Sequence, residues 1–219
     1  MSGYRIIFVG APGSGKGTQA QRLLERYSAQ QISTGDILRQ ARKDGTALGK
    51  EAQKYMDEGK LVPDELIINL IKDTLGQGKF SSGWVLDGFP RTLAQAEALD
   101  RMLTAMGEKI THVVVLDVPA AVLLERIVGR RSCPKCGNVH HVRFHPSKVE
   151  GICDRCGTAL VQRPDDTEAK ATVRQAAFEA QTAEVIPYYE RRGLVSRVDG
   201  TLEQDEVFSR IEKSLGARP

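Results

Sequence analysis

The segment that most constrains this chain is Gly10-Ala11-Pro12-Gly13-Ser14-Gly15-Lys16-Gly17-Thr18, which follows directly on Ile6-Ile7-Phe8-Val9. Tyr4 to Val9 is a short β-branched and aromatic run halted by a glycine, and it reads as a buried strand. Thr18 to Tyr27, with Leu23 and Leu24 among polar side chains, reads as a helix. Strand, glycine-rich turn and helix, in that order, predict the opening of an α/β fold. In such a turn the glycines let successive backbone N–H groups face inward around phosphate oxygens, and the positive end of the next helix adds to their field. Lys16 can reach the phosphates. Gly17 stands where a Ser or Thr hydroxyl ordinarily contacts Mg²⁺, so the metal must be held mainly by phosphates and water with a carboxylate nearby. Asp87, at the end of a predicted strand, is the natural candidate.

The rest of the chain continues the pattern. Trp84 to Leu86, His112 to Val118 and Leu194 to Val198 read as further inner strands. Helical patterns separate them over Pro63–Leu75, Thr92–Met106, Ala120–Val128, Thr167–Arg192 and Glu203–Leu215. Strands alternating with helices at these lengths predict a parallel sheet covered on both faces. With 219 residues, one domain with an insertion is expected. Folding at this size buries roughly 70% of the unfolded surface, enough for a hydrophobic core. The composition, 41% hydrophobic and 27% charged, excludes disordered and fibrous classes. A net charge of +3 is too balanced to argue for nucleic acid. The longest apolar stretch, Val113 to Leu124, is broken by Asp117 and Pro119 and is too short to span a bilayer. The N-terminal run does not have the form of a signal peptide, so a cytoplasmic address is expected.

Ser132 to Gln162 departs from the pattern. It lacks helical periodicity and carries Pro134, Pro146, all four cysteines and all but one of the histidines. It reads as a loop-and-hairpin unit inserted between two helices. Cys133-x2-Cys136 and Cys153-x2-Cys156, sixteen residues apart, have the spacing of a four-thiolate zinc site, with Gly137 and Gly157 suited to close two facing turns. One or two disulfides are the rival reading, disfavoured in a reduced compartment. A closed tetrathiolate shell has no open position, so the zinc is expected to be structural.

Arginines bracket these features. Thr34 and Arg39 stand about one turn apart at a helix start, suited to a second anion. Arg91 lies just beyond the strand that ends at Asp87, where ligands of open α/β sheets bind. Arg130-Arg131 opens the inserted unit, Arg163-Pro164-Asp165-Asp166 closes it, and Arg174 follows. Several rigid bidentate cations around a phosphate loop suit two polyphosphate substrates, because moving a phosphoryl group is mostly positioning and charge neutralisation.

On Gly-Ala-Pro-Gly-Ser-Gly-Lys-Gly-Thr, Gln-Ile-Ser-Thr-Gly-Asp, Leu-Asp-Gly-Phe-Pro-Arg-Thr, Arg-Ile-Val-Gly-Arg-Arg and Val-Asp-Gly, the chain resembles the adenylate kinase family from Tyr4 to about Glu212. Gly17 is the family's own form of the loop. The resemblance implies an α/β fold of the P-loop NTPase type, a parallel β-sheet with helices on both faces, and reversible transfer of the terminal phosphoryl group of ATP to AMP. It implies one P-loop kinase domain over residues 1–219, with a small helical AMP-binding subdomain over 33–62 and a zinc-binding lid over 129–166. Gly13, Ser14, Gly15, Lys16, Gly17, Thr18, Arg130, Val139, His140 and Leu202 would bind ATP. Thr34, Arg39, Lys60, Leu61, Val62, Gly88, Phe89, Pro90, Arg91, Gln95, Arg163 and Arg174 would bind AMP. Lys16, Arg91, Arg130, Arg163 and Arg174 would be catalytic, with Mg²⁺ near Asp87 through water and zinc on Cys133, Cys136, Cys153 and Cys156. His140 stands where an aromatic residue, often Tyr, lies against the adenine of ATP in the family, so a looser donor-base preference is open. Gln175 replaces a usual Leu or Ile. The large closure implied for the family favours a monomer, with ATP, AMP and ADP as partners and neither nucleic acid nor membrane.

Three other readings compete with this one. UMP or CMP kinases have a short lid, and Thr92 after Arg91 favours the adenylate form. A GTP-using AMP kinase stays open through His140. A zinc-ribbon nucleic-acid-binding ATPase would use Arg130, Arg131, Lys135, Arg143, Lys148 and Arg155 as a basic face, but it leaves Arg163 and Arg174 unexplained.

Overall fold

The computed structural model describes residues 3–27, 29–77 and 83–216, so the ends of the expected 1–219 domain lie outside the described residues. Five parallel strands form the main sheet: β1 (Arg5–Val9), β2 (Gln30–Ser33), β3 (Trp84–Asp87), β4 (His112–Asp117) and β7 (Val195–Asp199), in the spatial order β2-β3-β1-β4-β7. Central β1 is buried along its whole length, and its side chains alternate between two cores, as the pleat requires. Ile7 and Val9 face the core built with α4 (Asp64–Gly76), α5 (Leu93–Ala105) and α8 (Val185–Glu190). Ile6 and Phe8 face the core shared with α1 (Lys16–Arg26) and α9 (Gln204–Gly216). The doubly covered parallel sheet expected from the sequence is therefore present.

Two elements differ from the sequence reading. β2 was not expected as a strand, because only Ile32 of Gln30-Gln31-Ile32-Ser33 is a buried apolar residue. It joins the sheet at its edge, in register with β3 from Gln30↔Trp84 to Ser33↔Asp87. Thr167–Arg192 was expected as one helix. It consists of α7 (Glu168–Ala177), a π-helical turn at Phe178–Thr182, and α8. The Ala183 N–H reaches back five residues to the Phe178 carbonyl at 2.9 Å. Pro187, four residues on, has no N–H to return to Ala183, which is where a regular ladder has to break.

Two insertions flank the sheet. On one side α2 (Thr34–Lys43) and α3 (Ala47–Asp57) pack closely, with Gly49 so near the Ala41 carbonyl that a Cβ would sit 2.2 Å from it. On the other, α6 (Ala120–Val128) leads into a small arm in which β5 (Arg130–Ser132) pairs antiparallel with β6 (Val139–His141), and bridges join Ser132 to Val161 and Ile152 to Ala159. The arm rests on α1: Gln21 Nε2 donates to the Gly137 carbonyl at 3.3 Å.

Candidate functional site

The floor of the site is the turn between β1 and α1. Gly13 and Gly15 hold left-handed φ values of 84° and 97°, and a Cβ on Gly13 would lie 2.9 Å from the Leu123 carbonyl. The first turn of α1 carries neither an acidic residue nor a side-chain cap, so its N–H groups face the loop without a competing protein anion. Lys16 Nζ donates to the carbonyls of Gly10 (2.6 Å) and Ala11 (2.9 Å). Its pKa is pushed down to about 8, chiefly by burial, with Asp87 opposing and Arg91, Arg174 and Arg130 adding to the shift. At physiological pH most of the lysine still carries its charge.

Asp87 ends β3, the strand beside β1, and accepts from Gln31 Nε2 at 3.3 Å. A Cβ on Gly17 would come within 3.4 Å of Asp87 Oδ2, so the missing side chain keeps the helix start open to that carboxylate. The donor set suits Mg²⁺: one acceptor-only oxygen group beside a phosphate cradle, leaving most positions to phosphate and water.

Above the floor lies a cleft of about 620 Å³. All ten residues expected at ATP line it, including Val139 and His140 from the arm and Leu202 beyond β7. A second cavity of about 80 Å³ is lined by Thr34, Lys60, Leu61, Val62, Gly88 and Gln95. The two cavities share Arg39, Arg91 and Arg174 as a common wall. Arg163 and Pro90 line the larger cleft. Phe89 is the exception among the AMP-site expectations. Its side chain is 1% exposed inside the core and lines neither cavity, because the apolar ring follows its neighbours on β3 into the sheet interior.

The arginines are held by specific acceptors. Arg130 makes a two-pronged pair with Asp166, its Nε 2.8 Å from Oδ2, and that carboxylate is fully buried. Arg174 Nη1 lies 3.0 Å from Asp165 Oδ2 and 3.5 Å from Asp166 Oδ1. Arg163 Nε donates to Ser132 Oγ at 2.9 Å, and Arg91 Nε to the Gly88 carbonyl at 2.8 Å. A Cβ on Gly88 would meet Thr34 Oγ1 at 2.8 Å, so glycine is what lets Arg91 and Thr34 close on this carbonyl. Burial, reinforced by neighbouring arginines, lowers Arg91 and Arg163 to about 10. Burial works against the Asp165 carboxylate, but Arg174 and the other arginines outweigh it and hold its pKa below the usual range. The site is a desolvated positive field, the environment in which a bound polyanion gains most.

His140 is 2% exposed. Its ring stacks parallel on His145 at 5.5 Å between centroids, and Nε2 lies 3.0 Å from Asn138 Nδ2. The sequence did not indicate this stacking partner. The roles of Asp165 and Asp166 were also missed, although their place directly after Arg163-Pro164 was a usable signal. Arg126, whose Nη1 donates to the Gly200 carbonyl at 2.7 Å while lining the cleft, carried none.

The four cysteine sulfurs converge within 4.8 Å of one another, with Sγ–Sγ distances of 3.4 Å (Cys133–Cys156) and 3.6 Å (Cys136–Cys153) and no disulfide. Tetrahedral zinc–thiolate bonds of about 2.3 Å place sulfurs about 3.8 Å apart, so the donor set fits zinc. Two matching turns present it: Gly137 N donates to the Cys133 carbonyl (3.1 Å) and Gly157 N to the Cys153 carbonyl (2.9 Å), with both glycines at positive φ. Cys133 N and Cys153 N donate in the same way to Asn138 and Thr158. None of the four cysteines lines either cavity. Among the described residues, no helix is long and apolar enough to cross a membrane.

Comparison with known proteins agrees with this geometry. A sequence model described as adenylate kinase matches residues 8–194. The chain is 50% identical to an adenylate kinase of Thermodesulfovibrio yellowstonii, over 94% of this chain and 96% of that protein. It is 51% identical to one from Syntrophobacter fumaroxidans, over 96% and 99%, and 48% identical to one from Clostridium kluyveri, over 97% and 98%.

Proposed function

This chain belongs to the adenylate kinase family, and from that premise we propose how its residues divide the work of phosphoryl transfer. The enzyme moves the terminal phosphoryl group of ATP to AMP, reversibly, giving two ADP. Gly13 to Thr18 cradle the ATP phosphates, with Val139, His140 and Leu202 around the donor base. Thr34, Arg39, Lys60, Leu61, Val62, Gly88 and Gln95 hold AMP, and Phe89 contributes through its backbone alone. A phosphate oxygen of AMP attacks the γ-phosphorus, and the bond from that phosphorus to the β–γ bridging oxygen breaks. The attacking oxygen is already anionic, so no general base is needed.

Lys16, Arg91, Arg130, Arg163 and Arg174 align the two phosphate chains and offset charge as it shifts to the leaving oxygen. The observation that carries this reading is the wall of Arg39, Arg91 and Arg174 shared by the two cavities, since both phosphate chains would end against it. Family members use Mg²⁺ with ATP, and Asp87 would hold it through water. When bound, the ion would supply charge neutralisation at the transferring phosphates. Residues 33–62 form the mobile AMP-binding subdomain and residues 129–166 a lid that excludes water, within a single kinase domain over 1–219. The four cysteines hold a structural zinc. The enzyme works as a cytoplasmic monomer on ATP, AMP and ADP, without nucleic acid or membrane.

Offering ATP with AMP, GMP, CMP, UMP or dTMP tests the reading. Prompt ADP formation with AMP alone is expected; activity only with a pyrimidine monophosphate overturns it. Arg91→Ala should raise the KM for AMP far more than the KM for ATP, and equal losses would count against the division of the two cavities.

A further inference from the structure

Gln95 lines the smaller cavity, 2% exposed, and its amide is held on both sides. Oε1 accepts the Arg91 backbone N–H at 2.7 Å, and Nε2 donates to Asp64 Oδ1 at 2.8 Å. The other Asp64 oxygen accepts from Thr92 Oγ1 at 2.9 Å, and that hydroxyl in turn accepts the Gln95 N–H at 3.2 Å as the cap of α5. Asp64 lies in the first turn of α4, so one carboxylate ties the starts of two helices to the amide between them. An ionised carboxylate only accepts hydrogen bonds. It therefore tolerates the NH₂ end of Gln95 and repels the oxygen end, and a flipped amide would also set its NH₂ against the Arg91 N–H. After these bonds, one N–H and one oxygen lone pair of Gln95 remain, in a fixed order.

The geometry points to Asp64 as a positioning residue that sets acceptor-base specificity. An inference of this kind rests on the assignment of the smaller cavity to AMP. Adenine presents an amino donor at position 6 with ring acceptors beside it, whereas guanine presents a carbonyl acceptor there with N1–H on one side. An amide of fixed order pairs with adenine, Oε1 meeting the amino group and Nε2–H a ring nitrogen. The same amide would set its oxygen against the guanine carbonyl, and only a flip could repair the mismatch. Asp64 denies that flip, together with the Arg91 N–H on the other side of the amide. The carboxylate need not touch the nucleotide to act; it decides which end of Gln95 does.

The test compares the wild type with Asp64→Asn and Asp64→Ala, measuring kcat and KM for AMP and for GMP at saturating ATP, the KM for ATP, and Tm. Asparagine is nearly isosteric but can face either end of the Gln95 amide, and alanine faces neither. Both variants should lower the AMP-to-GMP ratio of kcat/KM on the order of tenfold, the scale of one mismatched buried hydrogen bond. The KM for AMP should rise, while the KM for ATP and the Tm of Asp64→Asn stay close to wild type. An unchanged ratio in both variants overturns the inference. So does a parallel rise in KM for both nucleotides together with a fall in Tm, since that would make Asp64 a brace between helices and nothing more. A wild type that phosphorylates GMP as readily as AMP would instead overturn the acceptor assignment beneath it.

Discussion

The phosphate loop and the arm are both built from glycine turns that present a charged centre, but different forces hold them. Beneath the loop, Ile6, Ile7, Phe8 and Val9 are at most 3% exposed. Leu23 of α1 packs in the same core as Ile6 and Phe8, and the Leu123 carbonyl of α6 abuts Gly13. In the arm, from Gly129 to Asp166, no aliphatic side chain is buried; Val142, Phe144, Val149 and Val161 are about half exposed or more. Its buried side chains are Ser132, Cys133, His140, His141, Cys153 and Asp166. A sheet core lies directly under the loop. The arm is ordered by sulfur, imidazole and carboxylate contacts, so if it acts as the proposed lid, lifting it from α1 would expose no hydrophobic core. Excluding water from the γ-phosphate during transfer would be served by such a difference between floor and cover.

The most severe way to break the comparison is to remove the proposed zinc. Structural zinc contributes about 10–16 kcal/mol of apparent binding free energy in zinc-finger peptides. Strong chelation, or Cys153→Ser, should lower Tm and open residues 132–162 to proteolysis. ATP binding should persist at reduced strength, because the loop belongs to the sheet. Metal content, Tm and ATP affinity measured on one chelated sample check this, and loss of turnover at an unchanged Tm would show the zinc to be catalytic instead.

On the other side of the comparison, Lys16→Met should lower kcat by about 10³-fold or more and leave the fold intact. The lysine also titrates in reach of experiment. Its folded pKa of about 8 lies below the unfolded value of 10.5. Below pH 8 both states are protonated and the burial penalty is felt in full; between these two values the folded chain has already released the proton, and stability from this group rises with pH. Lys16→Met should therefore not lower Tm at neutral pH. In the wild type, kcat/KM for ATP should fall above about pH 8, while the limb in kcat lies higher because bound phosphates favour the ammonium form. A flat kcat/KM profile to pH 10 would remove Lys16 from the site.

Asp166→Ala probes the seam where the arm rejoins the body. It strips Arg130 of its two-pronged partner, a loss of about 3–5 kcal/mol when a pair is fully buried. Arg130 and Arg174 retain 16% and 18% side-chain exposure and can recover some hydration, so the lower end is expected. For a chain of this size that lowers Tm by roughly 6–12 °C in a thermal melt. At the small end, the Arg155–Glu25 contact between arm and α1, 3.9 Å long and largely exposed, should contribute under about 0.5 kcal/mol. Arg155→Ala should leave Tm within about 2 °C. A larger drop would mean the arm is clamped to α1 by charge, against the picture of a lightly held cover.

What could be read from the sequence alone is what a few consecutive residues determine. The turn from Gly10 to Thr18 follows from glycine's backbone freedom and from a strand and a helix on either side. The helices at Asp64–Gly76, Leu93–Ala105 and Ala120–Val128 follow from apolar spacing within one segment, and the four-sulfur cluster follows from two short repeats. Tertiary structure decided the rest. Gln30–Ser33 is a strand only because β3 offers it an edge. Phe89 points inward only because the core beside β3 has room for its ring. Arg130 and Asp166 are 36 residues apart, and Asp64 and Gln95 are 31 apart. Pairs at such separations have no local signature, because they form only when the closed fold brings distant backbone together and burial makes an unpaired charge or amide too costly to leave.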